Sequence, residues 1–364
     1  MDFKVAKNTS NYRVFTVKLL SNDVSIKSQF QQQLWQAIDR INTLPIADQL
    51  TPKTVPLHRV YIYNYVCYRS AIALKLSSAW QQTPLDVAHQ LTDALLTLSQ
   101  ESADAIGINF TVEVSPPGWI IFRLSDRALA TYLQGWFTIP PFPSVPGNYL
   151  NQKLQEKGGA GDREKRQQNQ LNSDQIFPVQ YIHARCCSLL RLADEQGLIQ
   201  VTDAGVRGCR EAGEAGEAGE AGGAGGAGDA GEAGGDKEEL FSVTTHQSPI
   251  TIIYPNPIPW LQDAGESDRE SVRLRLTHPA EWELIVQLLD LLDVMSASDC
   301  QRWVKQELAL TEAYEQFYKS CRIWGDVKIH DLPLAQARLG LIGVTQVVLR
   351  SLLEKLGVSA PRAL

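Results

Sequence analysis

Residues 178–192 read PVQYIHARCCSLLRL, and the way this stretch folds decides how the rest of the chain is read. Ile182, Cys186, Leu189 and Ala193 recur at spacings of four, three and four, the signature of one buried helical face. Tyr181 and Arg185 are four apart, so they sit together on a neighbouring face. A ring beside a guanidinium suits an unstacked base next to its phosphate. It is equally a common way of covering the edge of a core. His183 reads as a structural histidine bonded to a neighbouring helix.

Further helices follow towards the C-terminus. THPAEWELIVQLLDLLDVM starts at Thr277 and Pro279 and puts Leu284, Leu288, Leu292 and Met295 on one side. ALTEAYEQFYKSCRIWG carries Leu310, Tyr314, Phe317, Cys321 and Trp324 at helical spacing. A last helix over roughly 334–356 stops at Gly357, a C-terminal cap. With the 178–193 helix this predicts a bundle of at least four helices.

Towards the N-terminus the pattern changes. Residues 138–175 run from proline-rich TIPPFPSVPG into polar EKGGAGDREKRQQNQLNSD, and are expected to be a disordered linker. Residues 1–137 read as a smaller α+β unit. There TPLDVAHQLTDALLTL is a helix capped by Thr83, and TVEV and WIIFRL are strands joined by the turn SPPG. SDRALATYLQGW is a short helix capped by Ser125. The fold class expected is therefore mainly α, a helical bundle over 176–364 with a smaller N-terminal α+β domain.

The charge balance depends on one segment. Net charge is −7, but residues 211–239 hold nine acids and one lysine and so carry −8 of it, leaving the remainder at +1. This Gly-Ala-Glu repeat has no large side chain to bury and reads as a low-complexity insertion over 204–239. A near-neutral remainder does not exclude a polyanion partner. The six cysteines form no CxxC pair and have no histidine at metal-ligand spacing, so no metal or cofactor is expected and they read as small buried residues. No signal-peptide pattern and no membrane span is read, which makes the expected location cytoplasmic.

Three segments resemble arginyl-tRNA synthetases. Gln180, Tyr181, His183, Ala184, Arg185, Cys187 and Ser188 are similar to the first helix of that family's anticodon domain. Phe317, Tyr318 and Cys321 resemble its Phe-Tyr-x-x-Cys helix, and Leu356, Gly357, Ala360 and Pro361 its closing segment. Gly118 to Phe122, with YRSAIALKLSSAW before them, resemble its N-terminal additional domain. The resemblance implies a DALR anticodon-binding domain and tRNA as partner, with Gln180, Tyr181, Arg185, Tyr314, Tyr318 and Leu364 as the RNA-binding residues.

The same resemblance implies a nucleotide-binding domain between the two parts, with a His-x-Gly-His element and a Lys-Met-Ser-Lys-like loop. None of the six histidines begins such an element, and the only internal methionine, Met295, has no lysine beside it. The chain departs elsewhere too: Tyr68 alone remains of a Gly-Asp-Tyr-x-x-Asn element, and PLAQARLGL replaces Asp-Ala-Leu-Arg. The expectation is a non-catalytic tRNA-binding protein of translation or its regulation. The alternative is a protein-assembly module that reuses the bundle, and an active arginine–tRNA ligase ranks last. Deleting 211–235 should leave the melting temperature within a few degrees, because Ala, Gly and Glu side chains offer little apolar area against ordering entropy. A large drop in a thermal melt would mean that the repeat packs.

Overall fold

The computed structural model describes residues 13–18, 25–41, 50–62, 65–101, 107–137, 173–202, 250–262, 272–296, 300–356 and 358–363. The acidic repeat, nearly all of the expected linker, Gly357 and Leu364 lie outside them.

The N-terminal part is a five-stranded antiparallel sheet carrying helices. Its strands are β1 (Arg13–Lys18), β2 (Leu57–Ile62), β3 (Tyr65–Ser70), β4 (Gly107–Ser115) and β5 (Trp119–Leu124), in the order β1-β4-β5-β3-β2. The helices are α1 (Ile26–Ile41), α2 (Ile72–Trp80), α3 (Pro84–Glu101) and α4 (Asp126–Gly135). Period-2 alternation sends Phe110, Val112, Ile120, Phe122 and Leu124 into the core. Phe30 of α1 meets this face, its ring 4.7 Å from both Phe110 and Phe122 and 5.6 Å from Tyr68. Gly118 turns β4 into β5 at φ 151, and a Cβ there would come within 2.6 Å of the Pro84 carbonyl oxygen. Only glycine fits. Ser125 caps α4 by accepting from the Ala128 amide, as its position predicts.

The bundle comprises α5 (Ser173–Glu195), α6 (Pro279–Ser296), α7 (Cys300–Ser320), α8 (Asp326–His330) and α9 (Leu332–Lys355). A short antiparallel ribbon, β6 (Gln200–Thr202) with β7 (Thr251–Tyr254), flanks the repeat-bearing segment and is not anticipated from the sequence. The architecture is mainly helical, as expected. Helix α5 starts earlier than the expected linker end at 175 and runs through Pro178. Ser173, Asp174 and Gln175 are polar, so apolar periodicity has nothing to register there.

Helix α9 is the centre of the bundle, with every residue from Ala335 to Leu349 buried. It is the one helix among the described residues long and apolar enough to cross a membrane, but 83% of its apolar window is covered by protein. A helix apolar on all sides and enclosed in this way is a core helix. Its glycines admit close neighbours: a Cβ on Gly340 would reach Trp260 at 2.7 Å, and one on Gly343 would reach Phe137 at 2.8 Å.

One ion pair is buried with it. Arg338 Nε donates to Glu281 Oε1 at 2.6 Å, and Arg338 Nη1 donates to the Arg322 carbonyl. Glu281 also accepts from the His278 amide through Oε2 at 2.8 Å, while His278 Nδ1 accepts from the Ala280 amide. His278 therefore caps α6, the helix that the sequence reading starts at Thr277 and Pro279. The α+β part docks on α6 directly. Arg59 pairs with Asp290 and donates to the Val286 carbonyl, and Asp293 accepts from Ser25 Oγ at 2.7 Å and Tyr68 Oη at 3.2 Å.

Replacing Glu281 with Ala should cost about 3–5 kcal/mol, because it strands Arg338 as a buried charge and removes a cap. Urea unfolding followed by circular dichroism checks this. A loss under about 1 kcal/mol would mean that the guanidinium finds other compensation.

Candidate nucleic-acid interface

Helix α5 is fixed by the side that its spacing marks. Ile182, Cys186, Leu189, Leu190 and Ala193 are all buried. Burial pushes the Cys186 thiol well up, so it is an inert packing group and no redox chemistry is needed to explain the paired cysteines. Cys187 and Cys321 are buried too, and Cys186, Cys187 and Cys321 all carry reduced thiols.

The opposite side carries an aromatic and cationic assembly. Tyr181 is 42% exposed, and its hydroxyl accepts from Arg185 Nη1 at 3.0 Å. The Arg185 guanidinium lies 4.3 Å from the ring centroid of Tyr318 on α7, a cation–π contact. Tyr181, Arg185 and Tyr318 are thus brought together from two helices. Tyr314 is not with them. It is 1% exposed, packs against Phe317, and its hydroxyl faces the Cys186 thiol. A ring in that position cannot stack on a base, so Tyr314 leaves the expected RNA-binding set. Four residues advance a helix by slightly more than one turn, and that offset separates the core ring from the surface ring.

Gln180 faces the C-terminal tail. Its Nε2 donates to the Ser359 carbonyl at 2.9 Å. His183 Nδ1 lies 2.8 Å from the Pro361 carbonyl, and Arg191 Nη1 donates to the Arg362 carbonyl at 3.1 Å. Three side chains of α5 therefore clasp the carbonyls of residues 359, 361 and 362 in the tail over 358–363. Leu364, also expected to contact RNA, lies outside the described residues. His183 Nε2 is 2.9 Å from Gln346 Nε2 on α9. An amide nitrogen only donates, so Nε2 accepts and the proton sits on Nδ1, aimed at Pro361. Burial, then the Arg350 and Arg362 charges, lower His183 to about 4, against the pull of the Pro361 bond and Glu354. The neutral ring is the working form.

Sequence reasoning missed Phe177, which is 57% exposed and one helical turn before Tyr181. The spacing 177, 181, 185 is present in the sequence, but the helix read over 178–193 leaves Phe177 outside it.

Residues 261–364 match the DALR anticodon binding domain. That segment is a DALR anticodon-binding domain. It supplies α6 to α9, and with them Tyr318 and the tail; α5 precedes it. The chain is similar over 197 residues to the arginine–tRNA ligase of Moorella thermoacetica, at 27% identity, covering 53% of this chain and 23% of that protein. It is 28% identical over 186 residues to the arginine–tRNA ligase of Symbiobacterium thermophilum, covering 51% and 22%. A shorter match of 106 residues, to the arginine–tRNA ligase of Pelodictyon phaeoclathratiforme, reaches 37% identity and covers 28% and 18%. The chain thus spans about a fifth of the length of these curated relatives. No solved structure gives a significant match.

The clasp on the tail of the DALR domain should be acid-sensitive. With His183 lowered to about 4 in the folded state and near 6.5 unfolded, the unfolded chain binds the extra proton between those values. Its contribution is complete above pH ~6.5 and is lost as pH falls towards ~4, about 3 kcal/mol at most. Glu307, pushed up to about 7 by burial, titrates with the opposite sign in an overlapping window. The difference in unfolding free energy between wild type and His183→Gln across that range therefore isolates the histidine. A difference independent of pH would remove His183 as the titrating clasp.

Proposed function

We propose that the chain is a non-catalytic tRNA-binding protein of translation or its regulation, which presents Tyr181, Arg185 and Tyr318 to the anticodon region. The observation that carries this reading is the ring–guanidinium–ring assembly, with Tyr181 exposed and Arg185 and Tyr318 half-buried, on a bundle whose C-terminal segment is a DALR anticodon-binding domain. Stacking on such rings is worth ~1–3 kcal/mol per base. The similarity to arginine–tRNA ligases agrees with tRNA as the nucleic acid. The non-catalytic half of the proposal rests on the sequence itself, which carries neither the His-x-Gly-His element nor the Lys-Met-Ser-Lys-like loop that the resemblance calls for. Those groups stabilise charge on transferring phosphates, and nothing of that composition replaces them.

Binding of the full chain to unfractionated tRNA, measured by filter retention at low and physiological salt, tests the proposal. Binding is expected with a shallow salt dependence, since few cations lie at the assembly. Arg185→Ala should weaken it about tenfold with an unchanged melt. Absence of tRNA binding at low salt overturns the reading. ATP–pyrophosphate exchange with arginine above background overturns the non-catalytic half.

A further inference from the structure

The exposed edge of α5 continues beyond the tyrosine–arginine pair. Phe177, Tyr181 and Arg185 succeed one another at i, i+4 and i+8, so they form one stripe along the helix. Phe177 and Tyr181 are both open to solvent, at 57% and 42%. Each step of four residues rises about 6 Å along the axis. Bases in a continuous stack lie only ~3.4 Å apart, so two rings at this spacing do not match an intact stack. They match a strand whose bases have been drawn apart.

Polar side chains beside the stripe are engaged within the protein. Gln180, His183 and Arg191 direct their ring or side-chain nitrogens at the carbonyls of Ser359, Pro361 and Arg362. Arg185 donates through Nη1 to the Tyr181 hydroxyl and sits over the Tyr318 ring, 4.3 Å from its centroid. Reading a base requires free donors and acceptors directed at its edge. What α5 offers instead is ring faces and the outer face of a guanidinium.

We infer that the stripe Phe177–Tyr181–Arg185, backed by Tyr318, takes two or three adjacent nucleotides of single-stranded RNA by stacking and does not discriminate their sequence. The inference rests on the RNA-binding reading above and widens its ligand class: unpaired RNA in general, not one anticodon. Phe177 is the residue that extends the platform. Every base has a π-face, so stacking of this kind tolerates any sequence. A duplex keeps its bases stacked on one another and offers none to the rings.

The test uses the full chain and fluorescence anisotropy with end-labelled RNA octamers of uridine, adenosine and cytidine, a blunt RNA duplex, and unfractionated tRNA. The three octamers should bind within about fivefold of one another, and the duplex at least about tenfold more weakly. Phe177→Ala should weaken all three octamers by a similar factor of about tenfold, and Phe177→Trp should restore them. Phe177 is exposed, so an unchanged melting curve certifies the fold of both variants. If one octamer dominates, or if Phe177→Ala changes nothing while tRNA still binds, the inference is overturned and the tRNA reading stands. If neither the octamers nor tRNA bind at low salt, both are overturned.

Discussion

Helix α9 has no face for water, and that constraint organises the bundle. Leu339, Leu341, Ile342, Val344, Val348, Leu349, Leu352 and Leu353 are buried, and so are the polar Thr345 and Gln346 between them. A helix apolar all round must be enclosed by several neighbours at once. α5, α6 and β7 supply part of that enclosure. The rest comes from the segment holding Ile258 and Trp260, and from Phe137 beyond the end of α4, where Gly340 and Gly343 let them approach. Polar groups carried inside need partners. Arg338 finds Glu281 and the Arg322 carbonyl, and Thr345 donates to the Leu341 carbonyl.

The surface assembly depends on this enclosure through one side chain. Gln346 reaches His183 from α9 and sets which ring nitrogen carries the proton. The other nitrogen then holds Pro361, with Gln180 and Arg191 on either side along the same helix. Each such bond is worth only about 1 kcal/mol net, but together they fix the tail against α5. The ring faces of Phe177 and Tyr181 remain exposed as the counterpart of that arrangement. Their position is set by the buried side of α5.

Periodicity made the bundle legible where apolar residues recur, and failed where polar chemistry decides. Leu284, Leu288, Leu292 and Met295, and likewise Leu310, Tyr314 and Phe317, are buried as their spacing requires. The same spacing could not tell Tyr314 from Tyr318, because both fall on the apolar side and only the packed neighbour Cys186 separates core from rim. Tyr181 and Arg185 were found by their separation. Their closure on Tyr318 was not, since that contact joins residues 133 positions apart. The tail clasp was invisible for a similar reason: its acceptors are backbone carbonyls, which leave no mark in a sequence. The ribbon β6–β7 escaped because each strand is too short, at three and four residues, for alternation to stand out.

Arg59, Asp290, Asp293, Tyr68 and Ser25 form a continuous polar set at the junction of β2, β3 and α1 with α6. Burial raises the Asp293 carboxyl, while the Arg59 charge and the Ser25 and Tyr68 hydroxyls pull it down. Removing one member of a buried charged set costs several kcal/mol, so the set specifies one docking geometry. Tyr68, the residue kept from the additional-domain element, is buried and bonded to Asp293, so in this chain it serves the junction. The α+β part and the bundle are thus held in direct contact by side chains from both.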